Sequence, residues 1–351
     1  MLDWLSTYLL PGRIFDPRDG PKHARSAEKL GFGGVWLSDR WDQKEAGAML
    51  GAVSQTTTLL RFGTAATHPH TRHPLVLAGM ATTLQALSSG RFTLGIGRSA
   101  GGIWPGRGLK SPTTAMLCDI ARLLQQLWAG ETVDYDGPLG RFPELRATHR
   151  YDGAPPRLGL AAIGPRTLEA AGELYDTVIL HPFLTTESVT RSAAIVRSAA
   201  ERAGRDPSSV RVIATVAVAP SLSADKSAAI VTGRLVTYLQ AQGMGELLVA
   251  ANDWDPATLD VLRSHPMFAA LDGGLADWAF TLDQLVEAGS VLPESWVEDG
   301  AAVGTESQCA DRIEAYRTAG ADEVMLHGNT PEQLARLVAE LASRTGVPSA
   351  L

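Results

Sequence analysis

The sequence lacks the features that mark disulfide-rich, membrane-spanning and nucleic-acid-binding proteins. Its 351 residues include two cysteines, Cys118 and Cys309, whose wide separation predicts buried apolar side chains rather than a disulfide framework or a metal cluster. No apolar run reaches the roughly 18 residues that a membrane helix needs. A net charge of −7 argues against a broad nucleic-acid-binding face. We therefore expect a small-molecule substrate and neither a membrane nor a nucleic-acid partner.

The N-terminal segment has no signal-peptide character. Asp3 comes early, and neither a basic region nor a cleavage-like site is present, so a first strand and a cytoplasmic protein are expected. No low-complexity tract or linker divides the chain, although its length would suffice for two medium domains. We therefore predict a single domain over residues 1–351.

Short apolar runs alternate with amphipathic segments along the chain. The runs predict strands at residues 5–10, 34–37, 60–67, 92–96, 157–162, 177–180, 210–219 and 323–326. The amphipathic segments predict helices at residues 21–30, 45–57, 74–87, 113–128, 166–174, 185–203, 224–241 and 331–344. Strict alternation predicts a parallel sheet, and eight such units predict an α/β fold of the (β/α)8 TIM-like barrel type.

Two segments exceed this repeat. Residues 130–150 predict a small hairpin or ordered loop with a turn at Asp136-Gly137-Pro138. Residues 242–303 predict a longer, apolar and helical insertion before the last strand, which contains three tryptophans. We expect both insertions at the C-terminal mouth of the barrel, the second as a cap over the substrate.

A glycine-rich stretch raises the question of nucleotide binding. Gly95 to Ala100 matches the G-x-G-x-x-G/A pattern of a dinucleotide-binding fold, but that fold needs a helix directly after the pattern. Residues 101–108 contain four glycines and a proline, which disfavour a helical first turn. In a barrel, Gly95 and Gly97 would end strand four and leave room for a flat ligand over the mouth, although a tight barrel corner would equally require Gly95.

Four segments resemble the bacterial luciferase-like monooxygenase superfamily. They are VWLSDRW at residues 35–41, TAATHPHTRHP at 64–74, SSGRFTLGIGRS at 88–99 and LAAIGPRTLEAAGELYDTVIL at 160–180. The resemblance covers essentially the whole chain. It implies a TIM-like barrel with FMN or the deazaflavin coenzyme F-420 at its mouth, and the motifs are nearest to the branch that uses F-420.

The same resemblance implies the cofactor-binding residues. It places Asp39 where a carboxylate can accept from a ring N–H or a ribityl hydroxyl, and it places a non-prolyl cis peptide bond near Ala65-Ala66. The helix start at Gly164 suits an anion, and Arg166 adds a positive charge. Two alternatives stay open, an N-cap or ion-pair role for Asp39 and an ordinary turn at residues 163–167. The predicted set is Asp39, Ala65, Ala66, His68, Arg98, Ser99, Ile163, Gly164, Arg166 and Thr167.

Two residues are candidates for catalysis, His181 and Arg40. Arg40 resembles the position of a catalytic histidine in the sugar-phosphate dehydrogenase branch, and because arginine does not shuttle protons near neutral pH, we expect it to stabilise an anion or hold the cofactor. The acid of that branch matches Ala100, which argues against glucose 6-phosphate as substrate. His181, after strand six, is expected to contact substrate or donate a proton, or else to be a packed corner residue. The loop pair His70 and His73 is a weak metal signal, so no metal is expected.

These features predict an oxidoreductase that transfers a hydride between F-420 and an unidentified small organic substrate. One alternative is an FMN-dependent luciferase-like monooxygenase that receives reduced flavin from a separate flavin reductase and activates oxygen. Another is a non-catalytic F-420- or flavin-binding protein, because the proton-transfer residues of the sugar-phosphate branch are missing. The resemblance further implies a homodimer.

Overall fold

Parallel strands form the centre of the fold in the computed structural model, which describes residues 1–40, 43–99, 103–148, 151–271 and 276–346. The strands are β1 (Leu2–Tyr8), β2 (Phe32–Leu37), β3 (Arg61–Thr64), β4 (Phe92–Ile96), β5 (Val133–Gly137), β6 (Gly140–Leu145), β7 (Arg157–Ala162), β8 (Thr177–Leu180), β9 (Arg211–Pro220), β10 (Ala301–Gly304) and β11 (Glu323–His327).

Helices surround these strands. They are α1 (Asp19–Leu30), α2 (Ala46–Thr56), α3 (Pro74–Leu87), α4 (Thr114–Ala129), α5 (Pro165–Leu174), α6 (Thr186–Arg202), α7 (Ala224–Ile230), α8 (Thr232–Gln240), α9 (Met244–Ala251), α10 (Pro256–Arg263), α11 (Ala276–Ala279), α12 (Leu282–Ala288), α13 (Glu294–Gly300), α14 (Glu306–Thr318) and α15 (Ala335–Thr345). Within the described ranges, none of them has the length and apolar character required to cross a membrane.

Eight of the strands close into a parallel barrel. Around the barrel the order is β1, β2, β3, β4, β7, β8, β9 and β11, and β11 pairs with β1. The predicted (β/α)8 barrel is therefore confirmed. β10 pairs with the end of β9 outside the closed ring. β5 and β6 form an antiparallel hairpin, one of the two structures expected for this segment. Its turn lies at Pro138 and Leu139, because Asp136 and Gly137, which were expected in the turn, belong to β5.

Local sequence explains where the elements begin and end. The Thr113 side chain caps α4 by accepting the backbone N–H of Met116. Gly31 and Gly130 end α1 and α4 in the left-handed conformation, with φ of 91° and 84°, which glycine adopts without a steric cost. β2 and β8 are buried along their whole length, as expected of strands that face the barrel core on one side and helices on the other.

The helical layer differs from the prediction in two places. The helix predicted at residues 224–241 breaks at Val231 into α7 and α8, because Thr232 and Gly233 have low helix propensity. β10 and α14 were not predicted, since the buried face of α14 includes small residues that give a weak apolar pattern. A signal was present, because Thr305 and Gln308 form a capping box at the start of α14. Helices α9 to α13 lie within the insertion expected at residues 242–303.

A buried ionic network lies at the N-terminal end of the barrel. The fully buried Glu323 carboxylate accepts hydrogen bonds from Arg61 Nη1 and Arg211 Nε at 2.8 Å each, and from Trp36 Nε1 at 2.9 Å. Burial alone would raise the pKa of Glu323, but the two arginines hold it below its ordinary value. Because polar residues at this end of a TIM barrel are remote from the strand C-termini, we assign the network to stability.

Candidate functional site

A cavity of about 460 Å³ opens at the C-terminal ends of the barrel strands. Residues of α8, α9 and α11 also line it. Its volume lies in the usual range for small-molecule and cofactor sites. Nine of the predicted site residues line it: Asp39, Arg40, Ala65, Ala66, His68, Arg98, Ser99, Ile163 and His181. Gly164, Arg166 and Thr167 are not part of the lining. Ala100 lies outside the described residues.

A second cavity, of about 650 Å³, lies on the outer side of the barrel. Its walls come from α3, α4 and residues of the segments 146–148 and 151–158, and none of the predicted site residues contributes to it. Active sites of TIM-barrel enzymes lie at the C-terminal ends of the strands. The cavity at the mouth is therefore the candidate active site, although it is the smaller of the two.

Small residues form the floor of the cavity at the mouth. The Ala65-Ala66 peptide bond is cis, as the resemblance predicted. A Cβ atom on Gly97 would lie 3.0 Å from the Ala66 Cβ and 3.1 Å from the Ala161 Cβ, and all three residues line the cavity. Gly95 differs, because a Cβ there would lie 1.9 Å from the Thr64 carbonyl oxygen. The absent side chain of Gly95 therefore permits close strand packing, whereas that of Gly97 shapes the floor.

The Asp39 carboxylate is held by a polar network beside this floor. Asp39 is 2% exposed, and its Oδ2 accepts from Thr67 Oγ1 at 2.5 Å and from Arg72 Nη1 at 2.8 Å. Its Oδ1 accepts the backbone N–H of Ala46 at 3.2 Å, and Arg72 also contacts Glu45 at 2.7 Å. Asp39 therefore forms the ion pair that was one of the alternatives for it. Because a carboxylate has about four acceptor positions and three are used here, one remains for a ligand.

The loop after β4 connects the floor to the start of α5. Arg98 lines the cavity and donates through Nη2 to Thr167 Oγ1, while the Arg98 carbonyl accepts from Trp104 Nε1 at 2.9 Å. Ser99 has a φ of 59°, an uncommon value that turns the chain at the cavity wall. Thr167 therefore acts on the cavity through Arg98 rather than by lining it.

The turn at the start of α5 only partly reaches the cavity. Ile163 lines it, but Arg166 is exposed on the helix surface. Gly164 is the N-cap of α5, and a Cβ on it would lie 3.2 Å from Leu247 of α9. This placement leaves both earlier interpretations open, an anion-binding helix start and an ordinary turn.

His181 lies on the wall formed after β8. Its Nδ1 is 2.7 Å from the Pro182 carbonyl oxygen, which can only accept, so Nδ1 carries the hydrogen and Nε2 is left as the acceptor. Burial lowers the pKa of His181 to about 4, so the ring is neutral near pH 7. Its ring packs edge-on against Tyr238, with centroids 4.6 Å apart. The geometry therefore favours a proton-acceptor role over the donor role.

Charged residues gather at the end of the cavity near α8 and α11. Arg40 Nη2 and Arg234 Nη1 contact the same oxygen of Asp277, at 3.4 Å and 3.0 Å. Lys44 donates to the Leu10 carbonyl at 2.8 Å, and burial, together with Arg40 and Arg234, lowers its pKa to about 8. This end of the cavity is therefore electropositive.

Several lining residues could not be found by sequence reasoning. Arg234 and Tyr238 are one helical turn apart on α8, and Asp277 and Trp278 belong to α11 in the insertion, where no local pattern marks them. His327 had a usable signal, since it ends β11 and strand ends meet at the mouth. Three lining atoms are buried with no hydrogen-bond partner among the described residues: Thr215 Oγ1, Asp277 Oδ1 and His327 Nδ1.

A histidine beside the cavity gives the protein an expected pH dependence. Both ring nitrogens of His70 are buried without a hydrogen-bond partner among the described residues, and the ring packs on Trp104 with centroids 4.2 Å apart. Burial and then repulsion from His68 lower the pKa of His70 to about 4.

In the part of the chain that the structure describes, no group of three histidine, cysteine or acidic residues could hold a metal ion.

The lowered pKa of His70 makes the free energy of unfolding depend on pH. The unfolded chain binds a proton at this residue below about pH 6.5, whereas the folded chain does so only below about pH 4. The free energy of unfolding should therefore fall as the pH drops from 6.5 to 4. One such group contributes a slope of about 1.4 kcal/mol per pH unit. We expect His70→Phe to reduce by that amount the slope of the unfolding free energy between pH 6 and pH 5, measured by urea denaturation. Equal slopes in both proteins would contradict this assignment.

Comparisons with known proteins agree with one another. The model of the family described as luciferase-like monooxygenase matches residues 5–323. The chain is 27% identical to 5,10-methylenetetrahydromethanopterin reductase of Methanolobus tindarius, over 86% of this chain and 88% of that protein. It is 29% identical to F-420-dependent hydroxymycolic acid dehydrogenase of Mycobacterium tuberculosis, over 77% and 74%. The solved structure of coenzyme F-420-dependent tetrahydromethanopterin reductase from Methanopyrus kandleri shares the fold, with a TM-score of 0.77, 18% identity and coverage of 97% and 98%.

Proposed function

The chain belongs to the luciferase-like monooxygenase family, and from that premise we propose that it is an oxidoreductase that transfers a hydride between F-420 and a small organic substrate. Two of the similar proteins support the choice of cofactor. The hydroxymycolic acid dehydrogenase is named as F-420-dependent, and so is the tetrahydromethanopterin reductase whose solved structure shares the fold. The observation that carries the proposal is the cavity floor, where Ala66, Gly97 and Ala161 offer a surface of small residues to a planar ring.

The residues present fit a deazaflavin. Its ring would lie on the floor at Ala65-Ala66 and Gly97, where a larger side chain would take its volume. Asp39 retains an acceptor position for a ring N–H or a ribityl hydroxyl. Arg98, held against Thr167 near the start of α5, is placed to bind an anionic part of the cofactor. Thr215 Oγ1 and His327 Nδ1, which are buried and have no hydrogen-bond partner within the described ranges, would offer further polar contacts in the same cavity.

The bound coenzyme supplies a carbon that accepts or donates a hydride. The chain's own residues orient the substrate and move the accompanying proton. If a substrate hydroxyl is oxidised, its proton passes to a base, and the neutral His181 offers Nε2 for that purpose. Arg40, which does not exchange protons near neutral pH, stabilises negative charge instead. Tyr8 is fixed by donating to the Ala65 carbonyl at 3.1 Å, so it supports the floor rather than the proton transfer.

Titration of the purified protein with F-420 and, separately, with FMN tests the cofactor. We expect F-420 fluorescence to be quenched with a dissociation constant of about 10 μM or lower and FMN to bind at least about tenfold more weakly. Micromolar binding of FMN without binding of F-420 would overturn the proposal in favour of a flavin monooxygenase. Rapid oxidation of the reduced, bound cofactor by oxygen in a stopped-flow experiment would have the same meaning.

Binding of F-420 without redox turnover across a broad panel of alcohols, aldehydes and ketones would instead favour the non-catalytic binding protein. A dimer stays a prediction, and sedimentation velocity tests it directly. A separate flavin reductase is expected only if FMN is the cofactor.

A further inference from the structure

Among the residues that the structure describes, the end of the cavity near α8 and α11 carries more positive than negative charge. Arg40, Lys44 and Arg234 line it, and Asp277 is their acidic neighbour among the lining residues of that end. The other acidic lining residue, Asp39, has its charge matched by Arg72. This local excess stands out in a chain whose net charge is −7. A positive, partly desolvated wall of this kind attracts an anion.

Arg40 and Arg234, here called the arginine pair, are arranged for one more acceptor. Both contact Oδ2 of Asp277, and within the described residues neither has another ion-pair partner. The side chains of Arg40 and Arg234 are 23% and 13% exposed, so both remain accessible from the cavity. A guanidinium has five N–H donors, and one carboxylate oxygen satisfies only a small part of those available in the pair.

Aromatic residues hold the arginine pair in place. The Arg40 guanidinium lies 5.9 Å from the ring centre of Trp278, and that of Arg234 lies 5.9 Å from the ring centre of Tyr238. Such contacts restrict the guanidinium planes and leave the N–H edges for hydrogen bonding. They also give the surroundings of the pair flat apolar surfaces, which suit an unsaturated or aromatic body beside an anionic group.

We propose that the substrate carries a carboxylate that binds the arginine pair, an assignment that rests on the proposed function for its chemistry. The carboxylate matches the planar donor edge of arginine in charge and geometry. Bound there, it fixes the rest of the substrate in the cavity between the pair and the floor at Gly97. Asp277 competes with the substrate, because it occupies part of the pair when no carboxylate is bound. Asp277 Oδ1 is buried and has no hydrogen-bond partner in the described part of the chain, so this oxygen can accept a hydrogen bond once the substrate binds the pair.

Benzoate and benzamide are the probes, because they have nearly the same shape and differ in charge. Isothermal titration of the full-length protein without cofactor measures their binding. We expect benzoate to bind about tenfold or more tightly than benzamide. Arg234→Met should remove that preference. Arg98→Met removes a lining cation that contacts Thr167 rather than Asp277, and it should keep the preference. The surface variant Arg202→Met should keep it as well.

Asp277→Asn gives the sharpest outcome, because the two explanations for the arginine pair predict different results. If the pair binds a carboxylate, removing the competing charge should raise benzoate affinity about tenfold. If the pair serves only to dock α11, the variant should lower the melting temperature and leave benzoate binding unchanged. A gain in affinity cannot arise from a misfolded variant, so this arm stays informative whatever Arg234→Met does to folding.

Three results would overturn the proposal: equal binding of benzoate and benzamide, loss of the preference in Arg98→Met, or no gain in Asp277→Asn. Tighter binding of inorganic phosphate than of benzoate would also overturn it, since it would indicate a phosphate rather than a carboxylate. The F-420 titration is independent of these measurements. A preference for benzoate without binding of F-420 would support the carboxylate site and refute the proposed cofactor. Binding of F-420 without a preference for benzoate would support the cofactor and refute the carboxylate site.

Discussion

Replacement of Gly97 by valine is expected to weaken F-420 binding by a factor of about 10 to 100, since overpacking of a filled site costs about 1–3 kcal/mol. The reason is the floor of the cavity. A Cβ added at this position would lie only 3.0 Å and 3.1 Å from the Cβ atoms of Ala66 and Ala161, so the two further methyl groups of valine must push these residues apart or enter the ring's volume. Fluorescence titration with F-420 measures the loss.

Two companion variants make the Gly97 result specific. Gly97→Ala adds only the Cβ and should weaken binding by a smaller factor. Gly51→Ala changes a glycine of α2 with nothing within 4 Å of the added atom, and should bind F-420 normally while stabilising the fold by about 0.5–1 kcal/mol. Unchanged F-420 affinity in a folded Gly97→Val protein would show that the ring does not lie on this floor.

Replacement of Glu323 by alanine should lower the free energy of unfolding by about 3–5 kcal/mol, because it leaves two arginines without their shared buried partner. Arg61 and Arg211 each contact Glu323 Oε2 at 2.8 Å, and the carboxylate has no exposed surface. Truncation also removes the acceptor for the Trp36 indole N–H. Urea denaturation at pH 7 measures the change.

An exposed ion pair of similar geometry is the matched control for Glu323. Asp311 contacts Arg344 at 2.6 Å but its side chain is 68% exposed, so Asp311→Ala should cost no more than about 1 kcal/mol. Glu323→Gln keeps the shape and part of the hydrogen bonding and should fall between the two. If Glu323→Ala and Asp311→Ala destabilise the protein equally, burial does not set the strength of this network.

The predictions from sequence succeeded where one regular pattern determined the outcome. The alternation of apolar runs with amphipathic segments predicted the eight barrel strands, which the structure confirms. Residues that follow β2, β3, β4 and β8 line one cavity. Residues 224–241 and 301–318 were harder, because Thr232 and Gly233 interrupt one helix and the small buried residues of α14 give little periodicity.

The site was readable only in part for a related reason. A polar residue directly after a predicted strand can be recognised in the sequence as a candidate, as Asp39, Arg40 and His181 were. A polar residue on a helix that packs over the barrel mouth has no such mark, so Arg234 on α8 and Asp277 on α11 were missed. Their position depends on how α8 and α11 pack over the barrel, and no local sequence pattern specifies that packing.

The sequence by itself therefore determined the barrel and the residues that follow its strands, because the repeated alternation of strand and helix specifies a parallel barrel whose strands all end on the same side. Only the tertiary structure decided which side chains meet. It paired Asp39 with Arg72, used the absent side chain of Gly95 for strand packing and that of Gly97 for the floor, and set Asp277 between Arg40 and Arg234. Such contacts join residues far apart in the chain, and they form only when the closed barrel and its insertion pack together.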